Sequence, residues 1–94
     1  MSNFILNSFS IQMLNGDSLV RFTQVPNLPD GLTSAIGHAD TAHVLGYEPN
    51  RVNVKLNPGD TAYVAQLMGG RLPEGSTTLP EGFQFTFWRV EVLP

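Results

Sequence analysis

The chain has 94 residues, a formal net charge of −3, 41% apolar residues, 14% charged residues and no cysteine. A chain of this length is typical of one domain, which we expect to span residues 1–94. The absence of cysteine excludes disulfides, thiol catalysis and cysteine-based metal sites. The five basic residues are too few to neutralise a long nucleic acid, so we expect no such partner. No long apolar run and no secretory signal are visible, which predicts a cytoplasmic protein without a membrane partner.

The first part of the chain predicts two strands separated by a short helix. Phe4–Leu6 is a short apolar run, and the apolar spacing of Phe9–Leu14 fits a short helix with Ser8 or Ser10 at its N-cap. Ser18–Thr23 alternates apolar and polar residues, which is typical of a half-buried strand.

The second part predicts one helix and three strands. The helix is expected over His38–Tyr47. Arg51–Leu56 alternates strictly, and the turn sequence Asn57–Asp60 leads into the apolar run Thr61–Met68, which together predict a hairpin. Phe83–Val92 completes a total of about five strands and two short helices.

His38 stands where an apolar segment ends at Gly37 and the predicted helix begins. Unpaired backbone N–H groups at a helix start favour an anion such as phosphate, and imidazole exchanges a proton near neutral pH. Together these features are the minimum for metal-free RNA cleavage, although a capping or packing role for His38 is the open alternative. His43 falls on another helix face and the carboxylates are scattered, so we expect no metal site and no cofactor.

Two further polar positions are candidates for ligand contact. Asn7–Ser10 joins a strand to a helix and offers groups for a phosphate or ribose, with ordinary helix capping as the alternative. Gln66 lies late in an apolar strand, where its side chain needs a partner, and a ligand is one option.

Two arginines are candidates for phosphate binding. Arg71 follows Gly69–Gly70, where the backbone can approach a ligand closely, and its guanidinium can bind phosphate through two hydrogen bonds. A salt bridge to Glu74 or plain solvation is the alternative for Arg71. Arg51 has the same alternative, because acidic residues flank it in the sequence.

Five blocks of sequence, in this order, resemble the small anti-CRISPR ring nucleases of viruses and mobile elements, and their host relatives. The blocks are Asn7–Leu14, Ala35–His38, Asn50–Val54, Gly59–Gln66 and Arg71–Gly75. The resemblance implies an α/β domain with a mixed sheet and short flanking helices, which acts as a homodimer. It also implies that the protein binds cyclic tetra-adenylate, the messenger of type III CRISPR immunity. Metal-independent cleavage to linear di-adenylates, in the cytoplasm of the host cell, would then shut off the signal.

The resemblance assigns roles to individual residues of this chain. Its catalytic positions correspond to His38 and Glu74. Its ligand-binding positions correspond to Asn7, Ser10, Gln12 (where relatives carry asparagine), Arg51, Gln66 and Arg71.

Two other functions fit the same sequence. A non-catalytic protein that sequesters a cyclic oligonucleotide would have the same binding residues. A viral or plasmid regulatory protein would instead use the weakly charged surface to bind another protein.

Overall fold

The computed structural model describes residues 3–94. The strands are β1 (Phe4–Leu6), β2 (Val20–Val25), β3 (Thr33–Ser34), β4 (Thr61–Met68) and β5 (Gln84–Val92). A 3-10 helix covers Ile11–Met13 and the α-helix α1 covers Ala39–Leu45. The expected single domain with a mixed sheet of about five strands and short helices is confirmed in this part of the chain.

The sheet has a parallel half and an antiparallel half, with strand order β2-β5-β4-β1-β3. β1 pairs in parallel with both β3 and β4, whereas β5 pairs antiparallel with β4 and β2. The carboxyl ends of β3, β1 and β4 therefore meet at one edge, which is where open α/β sheets commonly bind ligands.

Each face of the sheet is covered by a different part of the chain. On one face, buried Leu6, Val64 and Val90 pack with Val54 and with partly buried Met13. On the other face, buried Ile5 and Ala65 pack with Ile36 and with Ala42 of α1. Alternate residues of β1 and β4 supply the two faces, as the two-residue period of a strand requires.

The predicted strand Arg51–Leu56 and its hairpin are wrong. This segment forms one isolated bridge, between Leu14 and Leu56, and β4 instead has β1 and β5 as its neighbours. The alternating pattern arises because Val54 and Leu56 are buried against the sheet face while Lys55 points to solvent. The turn at Asn57–Asp60 does form, with Asp60 N donating to Asn57 O at 2.9 Å.

The remaining elements match the sequence expectations with shifted ends. The helix predicted over Phe9–Leu14 is the single 3-10 turn, and Ser10 is its N-cap, since its Oγ accepts from Gln12 N at 3.3 Å. The strand predicted at 18–23 occupies 20–25, and α1 ends at Gly46, whose φ of 87° suits glycine. Neither helix within residues 3–94 is long and apolar enough to cross a membrane.

Candidate functional site

Polar side chains follow each of the three parallel strands where they end at one edge of the sheet. Asn7 directly follows β1, and His38 comes shortly after β3. Gln66 lies near the end of β4, and Arg71 follows that strand. The topology thus brings together four of the residues that the sequence singled out, although they are far apart in the chain.

Three adjoining cavities at this edge share Asn7 as a common wall. The phosphate-side cavity, of about 430 Å³, is lined by His38, Gln66 and Arg71 as well as Asn7. The arginine-51 cavity, of about 400 Å³, is lined by Asn7, His38 and Arg51. The aromatic cavity, of about 350 Å³, is lined by Asn7 and Gln66 and by the aromatic residues Phe9, Phe22 and Trp88. These volumes lie in the range of small-molecule sites.

His38 is the N-cap of α1, and its ring is held by Thr41. The Nδ1 atom accepts a hydrogen bond from Thr41 N at 3.2 Å and lies 3.0 Å from Thr41 Oγ1. His38 is exposed, whereas Thr41 is only 7% exposed. The capping role considered from the sequence is therefore confirmed. The hydrogen bond to Nδ1 uses the Thr41 N–H, one of the groups that were expected to face an anion. The ring nitrogen left for a ligand is Nε2.

The contact with Thr41 also bears on the protonation of the ring. When Nδ1 accepts from Thr41 N, the neutral imidazole carries its proton on Nε2. The Thr41 hydroxyl can donate to Nδ1 in the neutral ring or accept from Nδ1–H in the imidazolium. One side chain can therefore hold the orientation of His38 in both protonation states.

Arg51 is tied to the backbone beside His38. Its Nε donates to Gly37 O at 3.1 Å, and a Cβ added at Gly37 would lie 3.1 Å from Arg51 Cγ. Because glycine has no Cβ, Gly37 leaves room for the aliphatic part of the Arg51 side chain. Within residues 3–94 the salt bridge is Arg89–Glu91, so the acidic neighbours of Arg51 do not pair with it.

Arg71 is exposed and lines the phosphate-side cavity, without the salt bridge to Glu74 that the sequence allowed. The two glycines before it have different surroundings. Gly69 has a φ of 112°, and a Cβ there would lie 2.8 Å from Gly82 O. The close approach at Gly69 is therefore to the loop before β5, whereas Gly70 lines the same cavity as Arg71.

Gln66 has a partner on its own face of the sheet. Trp88 Nε1 donates to Gln66 Oε1 at 3.2 Å. An indole N–H is only a donor, so the oxygen of the amide must face Trp88 and the NH₂ group must point elsewhere. The Gln66 side chain thus has two N–H donors that can bind a ligand where the phosphate-side and aromatic cavities meet.

Three residues predicted for the site line none of the three edge cavities. Ser10 and Gln12 line a neighbouring cavity of about 310 Å³ that includes Lys55, and Lys55 Nζ donates to Gln12 O at 2.8 Å. Glu74 is exposed in the turn before Gly75, whose N donates to Asp40 Oδ1 at 3.1 Å. The turn is thus held near the start of α1, and the catalytic role that the resemblance implies for Glu74 stays a prediction.

Sequence reasoning missed Thr41 and Trp88. The three-residue spacing from His38 to Thr41 is the spacing from an N-cap to the N–H that it caps, so a signal for that contact was present. Trp88 of β5 lies opposite Val64 of the neighbouring strand β4, and no local sequence pattern predicts its hydrogen bond to Gln66. In residues 3–94, no group of three or more histidine, aspartate and glutamate side chains is placed to hold a metal ion.

Comparisons with known proteins agree with this fold. The family model described as STIV B116-like matches residues 3–85. The solved structure of B116 of Sulfolobus turreted icosahedral virus (STIV) superposes with a TM-score of 0.75 at 27% identity. That match covers 97% of this chain and 99% of the viral chain. No curated protein matches the chain. Because the family model spans nearly the whole chain, this protein is a member of the STIV B116-like family.

Proposed function

We propose that this protein is a metal-independent ring nuclease that binds cyclic tetra-adenylate and cuts it to linear di-adenylates. The observation that carries the proposal is the meeting of His38, Arg51 and Arg71 around Asn7 at the carboxyl edge of the parallel strands. The ring as ligand, and its role in shutting off type III CRISPR signalling, rest on the family resemblance of the sequence blocks.

The charges around His38 support an anionic ligand. The residues lining the phosphate-side and arginine-51 cavities include both arginines and no carboxylate, although the chain as a whole carries a charge of −3. Guanidinium groups that are not ion-paired can bind phosphate through two hydrogen bonds each. The excess of positive groups is therefore local to this edge.

The proposed reaction uses the nucleophile that RNA carries. The ribose 2′-hydroxyl attacks the adjacent phosphorus and gives its proton to water, and the bond from phosphorus to the 5′-oxygen breaks. Protonated His38 gives the Nε2 proton to the departing 5′-oxygen, while Arg71 stabilises the charge of the phosphorane. The products are a 2′,3′-cyclic phosphate and a 5′-hydroxyl.

A homodimer is part of the proposal. A ring of four phosphates needs two opposed cuts to give two dinucleotides, and each chain has one histidine at this edge. A two-fold axis would present a second His38 to the opposite phosphate. Val52, which is 48% exposed, lines the arginine-51 cavity and offers an apolar contact beside the site.

The test is incubation of excess labelled ring with the protein, using rings of three, four and six adenylates. We expect complete conversion of the four-membered ring to dinucleotides. Calorimetry should give one ring per two chains, and light scattering should give twice the chain mass of 10.3 kDa. Binding without products would indicate a sequestering protein. A failure to bind any ring would contradict the proposal and favour a regulatory protein that binds another protein.

A further inference from the structure

We infer that the aromatic cavity beside the candidate phosphate site is a nucleobase subsite, which takes a purine base next to the phosphate bound by Arg71. The inference rests on the proposed function for the phosphate but on separate residues for the base. It assigns a role to the face of β5 and β2, which carries none of the residues used for cleavage.

Three of the seven residues that line this cavity are aromatic. Phe9 and Phe22 form an edge-to-face pair with ring centroids 5.4 Å apart and an interplanar angle of 83°, and Trp88 lines the same cavity. Phe22 is 50% exposed although it belongs to a strand that packs on the core. Aromatic side chains that stay open to solvent are the surfaces on which unpaired bases stack.

The polar end of the cavity presents a donor of fixed direction. Because Trp88 N–H holds Gln66 Oε1 at 3.2 Å, the Gln66 NH₂ group is the part that remains for a ligand. The ring nitrogens of a purine are hydrogen-bond acceptors, so they suit this group. A wholly apolar ligand would not provide such an acceptor.

The position of the cavity suits a base attached to a bound phosphate. Asn7 and Gln66 line both the aromatic cavity and the phosphate-side cavity that holds His38 and Arg71. A nucleotide could therefore place its phosphate on one side of these two residues and its base on the other. The volume of about 350 Å³ lies at the lower end of the range for small-ligand sites.

Trp88 makes the inference directly testable, because the chain has one tryptophan. The experiment titrates the full chain with cyclic tetra-adenylate, adenosine 5′-monophosphate and ribose 5-phosphate, and follows Trp88 fluorescence and its indole N–H resonance. We expect the two adenine ligands to change both signals saturably and ribose 5-phosphate to leave them unchanged.

Variants separate the subsite from general packing. Phe22→Leu keeps the tryptophan reporter and should weaken binding of both adenine ligands about 5-fold or more, in line with the value of base–aromatic stacking. Leu19→Ala is the matched control, because Leu19 is 75% exposed near β2 and does not line the cavity. Thermal melting of both variants checks that they fold.

Each outcome decides between the two proposals. Calorimetric binding of the ring with unchanged Trp88 signals and an unaffected Phe22→Leu variant would overturn the subsite and leave the ring nuclease standing. Signals from adenosine monophosphate without any ring binding would support the subsite and contradict the ring nuclease. The base subsite would be wrong if neither adenine ligand changed the Trp88 signals. It would also be wrong if Phe22→Leu altered the mass measured by light scattering but left the affinity for both adenine ligands unchanged.

Discussion

The two halves of the sheet use the same residue types in different ways. At the edge of the parallel half, Arg51 and Arg71 line cavities with His38 and form no salt bridge with a carboxylate of residues 3–94. In the antiparallel half, Arg89 forms a salt bridge with Glu91 at 3.3 Å, and Arg21 lies in β2 opposite Glu91. One arginine of the antiparallel half is thus ion-paired within the sheet, whereas both arginines of the parallel edge line open cavities.

The difference follows from topology. The ion pair of the antiparallel half joins two residues of β5, because alternate residues of one strand point to the same face of the sheet. Parallel strands end together at one edge, and the loops that leave them bring residues from distant parts of the chain around one opening. A site at that edge is therefore built from loop residues held by backbone contacts, as Arg51 is held by Gly37 O.

The largest effect should come from removing the imidazole of His38. His38→Asn keeps a side chain that caps helices well but cannot transfer a proton, so cleavage should fall about 10²- to 10⁴-fold with ring binding retained. His43→Asn, on the exposed part of α1, is the control and should cut normally. Single-turnover rates and calorimetry measure the two effects. Wild-type cleavage by His38→Asn would remove His38 from the mechanism.

Arg71→Ala should give the next largest effect and tests the comparison of the two halves. Loss of a charge-assisted hydrogen bond to phosphate is expected to weaken ring binding about 10- to 100-fold. Arg89→Ala and Arg21→Ala should change the affinity by less than about 2-fold, because those arginines lie away from the edge. Equal losses of ring affinity in the three variants would indicate that the overall charge of the protein attracts the ring. The two halves of the sheet would then not differ in ring binding.

Thr41→Val should have a smaller effect, because Thr41 positions His38 and does not touch the reacting atoms. The variant keeps the backbone N–H but loses the hydroxyl 3.0 Å from Nδ1, so cleavage should fall about 2- to 10-fold. Thr41→Ser should restore the rate. The ¹⁵N resonances of His38, without ligand, should show the Nε2–H form in the wild type. A dominant Nδ1–H form would contradict the arrangement.

The smallest effect should come from a strong chelator. The described residues offer no three-ligand group for a metal ion, and the proposed step needs only His38 and arginine, so the rate should change by less than about 2-fold. Rates before and after chelation, with Mg²⁺ added back, measure this. Loss of cleavage that returns with Mg²⁺ would refute the metal-free step.

The sequence predicted the fold better where an element depends on residues that are close together in the chain. The strands at Phe4–Leu6 and Thr61–Met68 were located at their observed ends because their apolar runs and turn signals are local. The two-residue strand β3 was missed, since it depends on pairing with β1 and has no pattern of its own. Arg51–Leu56 was misassigned because alternation reports burial of one face and not the presence of a pairing partner.

For the candidate site, the sequence identified residues that the fold brings together around Asn7, and others that line none of the edge cavities. His38, Arg51, Gln66 and Arg71 are brought together by parallel strands whose ends meet. Glu74 was placed by resemblance alone, and the hydrogen bond from Gly75 to Asp40 holds its turn near the start of α1. The aromatic cavity could not be predicted, because it depends on the register that sets Trp88 against Val64.

The most direct test of the central claim compares the four arginines in one titration. The non-cleaving His38→Asn variant is titrated with cyclic tetra-adenylate while the Nε–H resonance of each arginine side chain is recorded. We predict that the resonances of Arg51 and Arg71 shift and saturate together at one ring per two chains, while those of Arg21 and Arg89 stay unchanged. Shifts centred on Arg21 and Arg89, or no shift at any arginine, would contradict a ring-binding site at the edge of the parallel strands.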